Sequence, residues 1–253
     1  MCDIMTYLDK HWKIFLKSFE LDKLAFKLLA TDIVFILTLV ISYAILYMFW
    51  LKNLLSVSSI FNITSGDTLA LSKIDITGLW HLFIIKIILI LFVGVILYIV
   101  LISVYSALSH TFMNRKNFTL KLLLNFIGIY TILTVLWILL SIIIFNLSNN
   151  IVEIAWAIII FTLLYLYALL IFYLVTNDGK FTKILHHGLK CMIQLHHTLI
   201  PILLGFVLML LTSIIIGLLL GKFLVLSGVI ALLIFLYLLT WFRKYLYHVI
   251  HEV

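Results

Sequence analysis

Uninterrupted apolar runs of about twenty residues recur along this chain and limit its fold more than any other feature. Residues 31–51, for example, read TDIVFILTLVISYAILYMFWL and contain one charged side chain, Asp32. A helix needs about 20 consecutive apolar residues to cross the hydrocarbon layer of a bilayer. Strands of a membrane β-barrel instead alternate apolar and polar residues over about ten positions. The runs therefore predict membrane-spanning helices.

Six such runs are present, and they lie at residues 31–51, 79–105, 122–145, 151–175, 199–220 and 223–242. The second is longer than a bilayer requires, so we expect its helix to tilt or to project into the cytosol. Only 11% of the residues are charged, whereas soluble domains have about 25%. The predicted fold is an all-α membrane protein. It is a single integral membrane domain over residues 1–253, a bundle of six transmembrane helices with amphipathic interfacial helices on the cytosolic side.

Lysine and arginine are distributed unevenly between the connections. Thirteen of the 17 lie before the first span, between the second and third, between the fourth and fifth, or after the sixth. Basic residues accumulate in cytoplasmic loops, so we predict a multi-pass protein of the plasma or inner membrane with both termini in the cytosol. Cys2 and Cys191 fall on that side, where thiols stay reduced, and no disulfide is expected.

Three stretches on the predicted cytosolic side, at about residues 5–29, 106–121 and 177–198, mix basic and apolar residues. In residues 183–198 the basic and apolar side chains fall on opposite sides of a helix. The N-terminal stretch is similar, with Phe15 and Phe19 on its aromatic side. Such helices lie in the bilayer interface. Either they only anchor the bundle, or they also bind anionic lipid headgroups through Lys13, Lys17, Arg115, Lys116, Lys183, His186, Lys190 and His197.

Four histidines in HHGLKCMIQLHH raise the alternative of a metal site. His186 and His197 share a helix face but lie eleven residues apart, which is about 16 Å along a helix. That separation is too large for one ion, so neither a metal nor another cofactor is predicted. Imidazoles gaining charge below about pH 6.5 suggest instead a pH-sensitive interface. A nucleic-acid partner is not expected, because the aromatic side of these segments should face lipid.

Ionisable side chains inside spans are functional candidates. Lys86 lies within the second span, and its stem either reaches the outer interface or pairs with Glu153 at the outer end of the fourth span. His81, near the same end, completes this candidate intramembrane site. Asp32, at the inner edge of the first span, is interpreted as interfacial.

Small and hydroxyl residues in the third span are interpreted as contacts for helix packing; they are Asn125, Gly128, Thr131 and Thr134. No carboxylate lies near the middle of a span, which argues against an ion-coupled pump. Gly-x-Ser-x-Gly, His-Glu-x-x-His and P-loop motifs are absent, and so no catalytic residue is predicted.

Basic stretches lead directly into spans in three segments: KSFELDKLAFKLLATDIVFILTLV, NRKNFTLKLLLNFIGIYTILTVL and DGKFTKILHHGLKCMIQLHHTLIPILLGFVLMLL. This layout resembles the six-helix membrane domains joined to some glycerophosphodiester phosphodiesterases, and related uncharacterised prokaryotic membrane proteins. The resemblance implies a fold but no activity, because no catalytic phosphodiesterase domain is present. The sequence favours a non-enzymatic scaffold or lipid-interacting accessory factor whose partners are anionic membrane lipids. The alternatives are a small-solute transporter with a path near Lys86 and a membrane-embedded lipid enzyme.

Overall fold

The structure is a computed structural model of the 253-residue chain. It describes residues 13, 15–20, 22–64, 76–114, 117–147, 150–193, 207, 210–212, 214–215 and 224–252. Within them lie six bounded helices: α1 (Lys23–Thr64), α2 (Ile76–Asn114), α3 (Leu120–Leu147), α4 (Ile151–Val175), α5 (Phe181–Ile193) and α6 (Leu224–Glu252). Residues 15–18, ahead of α1, are also helical. The described part of the chain contains no strand.

Five of the described helical segments are long and apolar enough to cross a membrane: Lys23–Leu55, His81–Asn114, Leu120–Leu147, Ile151–Val175 and Ile230–His248. They confirm an all-helical protein of the multi-pass membrane class. The predicted span at 199–220 falls mostly outside the described residues, although residues 207, 210–212 and 214–215 are helical. The count of six spans therefore stays a prediction.

The first two helices extend well beyond their apolar runs. α1 has 42 residues and α2 has 39. α2 continues without interruption to Asn114, and Ser106, Ala107 and Ser109 in its last turns are buried. Residues 106–114 thus form the packed end of a long helix, whereas the sequence predicted a separate amphipathic segment there. Small and hydroxyl side chains explain the difference, because they allow helices to approach closely.

Polar residues mark where three of the helices begin. Asp22 Oδ1 accepts from Ala25 N at 2.8 Å at the start of α1. Thr119 Oγ1 accepts from Leu122 N at 3.2 Å before α3. Asn150 Oδ1 accepts from Val152 N at 3.0 Å before α4. Each side chain satisfies a backbone N–H that has no partner within its helix.

The chain divides into two compact units. Unit 1 comprises Met1–Ile33 and Ser103–Val253, and unit 2 comprises Val34–Ile102. Unit 2 holds the greater parts of α1 and α2, which approach each other at Gly94, where an added Cβ would lie 3.5 Å from Leu46 Cδ1. The core of unit 1 lies at the helix ends that the charge distribution assigns to the cytosol, here called the inner ends.

Candidate functional site

Helix α5 follows a tight turn after α4, and α3 holds that turn in place. Asn177 Oδ1 accepts from Gly179 N at 2.8 Å, which closes the turn. Asn125 Nδ2 of α3 donates to the backbone oxygens of Asn177 and Gly179 at 2.8 and 3.3 Å. Asn125 therefore connects α3 to the start of α5, in agreement with a packing role.

Two glycines allow α5 to lie close to its neighbours. Phe181, the first residue of α5, covers Gly128 of α3, where an added Cβ would lie 2.9 Å from Phe181 Cε2. Gly188 within α5 faces Phe172 of α4, where an added Cβ would lie 2.2 Å from Phe172 Cε1. Phe172 is itself fully buried. These two contacts fix which side of α5 faces protein.

Four basic side chains occupy one side of α5, and we call them the basic arc. In order around the helix they are His186, Lys190, Lys183 and His187, and they span about 100° at 3.6 residues per turn. All four are exposed. α5 contains no acidic residue, so no carboxylate on the helix offsets their charge.

An apolar strip lies beside the basic arc. It consists of Leu189 and Ile193, which are 49% and 79% exposed. The strip adjoins His186, while Ile184 and Gly188 on another side of the helix are buried. α5 thus presents a protein-facing side, an exposed apolar strip and a basic arc, in that order around its axis. This arrangement is typical of a helix lying at a membrane surface.

The segment ahead of α1 packs its aromatic side chains against α6. The ring centroids of Phe15 and Phe19 lie 5.1 and 4.4 Å from that of Trp241. Lys13 and Lys17 are exposed. At Phe15 and Phe19, then, protein covers the side that the amphipathic pattern assigned to lipid, and the two lysines remain accessible to a headgroup.

A buried network of charged and hydroxyl side chains joins α1, α2 and α6 within unit 1. Arg243 Nη2 donates to both carboxylate oxygens of Asp32, at 2.6 and 2.5 Å. Tyr105 Oη and Thr240 Oγ1 donate to the same carboxylate at 2.6 and 2.8 Å. Arg243 Nη1 donates to Tyr105 Oη at 2.5 Å and to Ser109 Oγ at 3.2 Å. The side chains of Arg243 and Asp32 are 6% and 1% exposed.

The network compensates for the burial of its two charges. Each oxygen of Asp32 accepts two hydrogen bonds, and the attraction to Arg243 offsets the desolvation of both groups. Arg243 Nε is the one buried side-chain nitrogen or oxygen in the described part of the chain that has no hydrogen-bond partner. We interpret the pair as fixing which helices meet at the inner end, since such pairs contribute specificity more than net stability.

A second ion pair lies at the edge of this core. Lys244 Nζ donates to Asp22 Oδ1 at 3.1 Å and to the backbone oxygen of Glu20 at 3.0 Å. Partial burial raises the pKa of Asp22, but the hydrogen bonds from Ala25 and Lys244 and the charge of Lys244 outweigh it, so that the pKa is lowered. Arg243 and Lys244 are two of the 13 basic residues from which the orientation was predicted. Both are buried by protein.

The three residues of the candidate intramembrane site are all exposed. Lys86 and His81 belong to unit 2, and Glu153 belongs to unit 1. Asn150 Nδ2 donates to Glu153 Oε1 at 3.3 Å in the first turn of α4, where a negative charge favourably complements the helix dipole. The pairing of Lys86 with Glu153 stays a prediction.

The predicted headgroup contacts divide into two groups. Arg115, Lys116 and His197 lie outside the described residues. The other five are all exposed, which is the first requirement for binding a headgroup: Lys13, Lys17, Lys183, His186 and Lys190.

Cys191 is a free thiol on α5 beside His187, with Sγ 3.9 Å from Nε2. Burial raises the pKa of this thiol, although Lys190 opposes the effect. The thiol is therefore protonated at neutral pH and is a weak nucleophile. In the described ranges no three His, Cys, Asp or Glu side chains gather as metal ligands do.

Sequence reasoning missed the Asp32–Arg243 pair and interpreted Asp32 as interfacial. The partners are separated by 211 positions, so no local pattern connects them. One signal was available: the predicted orientation places Asp32 and Arg243 at the same side of the membrane, at the edges of the first and last spans. An acidic and a basic residue in those positions are expected to form an ion pair, because an unpaired charge at the edge of a span is energetically costly.

Comparison with known proteins gives the chain no family. No protein-family model, no curated protein and no solved structure matches it. The resemblance to the membrane domains of glycerophosphodiester phosphodiesterases therefore stays a prediction.

Proposed function

We propose that this chain is a non-enzymatic membrane protein that binds anionic lipid headgroups of the cytosolic leaflet through the basic arc of α5. It acts in this proposal as a scaffold or a lipid-interacting accessory factor. One observation carries the proposal: apart from Thr182, every exposed side chain of α5 belongs to the basic arc or the apolar strip, while the opposite side packs on protein.

The apolar strip favours contact between α5 and the membrane. Leu189 and Ile193 are large, exposed and contiguous, and their transfer from water into the acyl boundary is favourable. Insertion of the strip brings the basic arc to the level of the lipid phosphates. Each basic residue near an anionic surface then contributes about 1 kcal/mol. The long stems of Lys183 and Lys190 let their ammonium groups follow the headgroups.

The packing of α5 also favours binding. A free amphipathic peptide loses conformational freedom when it folds on a membrane, which reduces its affinity. Here Gly188 and Phe181 already hold the helix against α4 and α3, and Asn125 holds the preceding turn. The basic arc is thus arranged before a lipid arrives.

The buried network supports a structural role for the membrane body over the transport alternative. The Asp32 carboxylate accepts four hydrogen bonds from protein groups. A carboxylate that binds a transported ion or solute needs free acceptor positions, and these are already occupied. We therefore assign the network to helix assembly.

The proposal is tested by lipid binding to the full-length protein in detergent, measured by native mass spectrometry during a titration with phosphatidylglycerol. Lys183→Gln with Lys190→Gln removes two charges from the basic arc and should weaken the tightest phosphatidylglycerol site about 25-fold, because each charge contributes about fivefold. The matched control is Lys52→Gln with Lys222→Gln, which removes two charges from the predicted outer side and should leave that site unchanged. Equal affinities of the two double variants for the lipid would overturn the proposal.

A further inference from the structure

Half of the basic arc consists of histidine. Lysine side chains in general stay charged at physiological pH, whereas histidine side chains in general change charge near neutral pH. Around the helix the histidines flank the lysines, so that His186 borders the apolar strip and His187 borders the opposite edge. All four side chains are exposed. Protonation of both imidazoles doubles the charge of the arc from two to four.

Neighbouring elements hold few acidic side chains to offset this change in charge. α4 packs on α5 through uncharged side chains, Phe172 at Gly188 and Tyr167, whose Oη donates to Met192 O at 3.4 Å. The carboxylates of α3, α4 and the turn before α5 are Glu153, at the opposite end of α4, and Asp178, which accepts a hydrogen bond from Thr119 Oγ1.

The basic groups of these same elements add to the positive charge of the arc. They are Lys121 in α3 and Lys180 directly before α5. Cys191 beside His187 stays neutral, since burial raises the pKa of its thiol. The described residues of α3, α4, α5 and the turn before α5 thus hold six basic side chains and two acidic ones, so the charge of an imidazolium adds to an excess of positive charge.

We propose, on the basis of the lipid-binding function above, that α5 is a pH-dependent anionic lipid site that binds tightly when His186 and His187 are protonated. Each imidazole takes up one proton from water, and the positive charge remains on the ring. Histidine side chains generally gain this charge near pH 6.5. Because each added charge strengthens binding about fivefold, the affinity for an anionic headgroup rises about 25-fold. Linkage requires the converse as well: bound anionic lipid favours proton uptake by the arc.

Phosphatidylglycerol is the appropriate probe, because its phosphodiester carries the same single charge throughout the range tested. Full-length protein in detergent is titrated with it at about pH 5.5 and about pH 7.5, on either side of the histidine midpoint. Phosphatidylcholine, which has no net charge, serves as the control lipid.

We expect wild type to bind phosphatidylglycerol about 25-fold more tightly at the lower pH. His186→Gln with His187→Gln should bind with the weaker affinity at both pH values. His186→Lys with His187→Lys should bind with the tighter affinity at both. These paired variants keep the side chains polar and exposed, so they separate charge from folding.

Three results would overturn part of this scheme, and they are distinguishable. Binding that depends on Lys183 and Lys190 but not on pH overturns the pH inference and leaves the proposed function standing. A pH dependence that survives in the double glutamine variant also overturns the inference, because other groups then cause it. Binding that depends on neither lysine at either pH overturns the proposed function itself.

Discussion

Unit 1 and unit 2 contain parts of the same two long helices but bury their side chains very differently. Among the described side chains of unit 2, Ile99 alone is buried. In unit 1 the same two helices bury Leu28, Asp32, Ser103 and Ala107, each to 1% exposure or less. α1 and α2 therefore change character along their length, from exposed to packed.

Hydrophobicity does not explain this difference, because the exposed part of α2 is the more apolar. Residues 84–97 read IIKIILILFVGVIL, while the packed part contains Ser103, Ser106, Ala107 and Ser109. Lipid tails are as apolar as leucine, so apolar surface gives membrane helices no reason to associate. Small residues and interhelical hydrogen bonds provide that reason. In this protein, polar and small residues mark where the chain packs on itself.

The same division is present within α3 and α4. Buried residues of α3 end at Thr134, and those of α4 begin at Ala168. Both sets lie at the inner ends. Polar pairs accompany them: Thr134 Oγ1 lies 3.0 Å from Tyr165 Oη, and Ser106 Oγ lies 2.7 Å from Tyr130 Oη. The outer halves of these helices resemble unit 2, with side chains that suit contact with lipid.

Removal of one member of the buried ion pair should produce the largest effect on stability. Asp32→Asn leaves the charge of Arg243 buried without its counter-ion, and we expect the free energy of unfolding to fall by about 3–5 kcal/mol. Denaturant unfolding in a constant detergent measures this change. Val34→Ala, two positions later on α1 and in unit 2, is the control. Val34 is 62% exposed, so the control should change the free energy by less than about 0.5 kcal/mol.

The double variant Asp32→Asn with Arg243→Gln sharpens the test. With both charges removed, neither side chain is buried as an unpaired ion, so part of the lost stability should return. A double variant that loses the sum of the two single effects would show that the residues act independently. The contrast between the two units would then rest on packing alone.

The fold class and most of the helices could be predicted from sequence because their signals are local. Continuous apolar runs predicted the spans that the structure describes. The 3.6-residue period of residues 183–193 predicted the amphipathic character of α5. The extent of α2 was harder to predict. Its final turns carry serine and histidine, which are typical of a cytosolic segment when considered alone and are buried here through contacts with other helices.

Contacts between distant residues explain what the sequence could not reveal. Asp32 meets Arg243 across 211 positions, and Phe15 meets Trp241 across almost the whole chain. The sequence showed two sides of α5, basic and apolar. It did not show that Gly188 turns part of the apolar side toward Phe172, because a glycine has no side chain with which to signal a close contact.

One glycine from each unit, Gly188 and Gly94, provides a matched pair of variants for which we expect effects of intermediate size. Gly188→Ala places a Cβ 2.2 Å from Phe172 Cε1, whereas Gly94→Ala places one 3.5 Å from Leu46 Cδ1. Overpacking at Gly188 should lower the free energy of unfolding by about 1–3 kcal/mol. At Gly94 the better helix propensity of alanine should leave stability unchanged or raise it by up to about 1 kcal/mol. Equal changes in the two unfolding midpoints would contradict the difference in packing between the units.

The smallest effect is expected at the edge of the core, where Asp22 pairs with Lys244. The side chain of Asp22 is 49% exposed, so solvent screens the pair and Asp22→Asn should cost less than about 1 kcal/mol at neutral pH. Asparagine keeps the N-cap of α1, and the variant therefore isolates the effect of the charge.

Because the pKa of Asp22 is lowered in the folded state, the contribution of its charge to stability is present above the ordinary carboxyl pKa. This contribution is lost as the pH falls through the folded value. Unfolding midpoints of wild type and Asp22→Asn should thus differ at neutral pH and converge in acid. A difference that persists below the folded pKa of Asp22, where this carboxyl is protonated, would instead assign the effect of Asp22 to hydrogen bonding and not to charge.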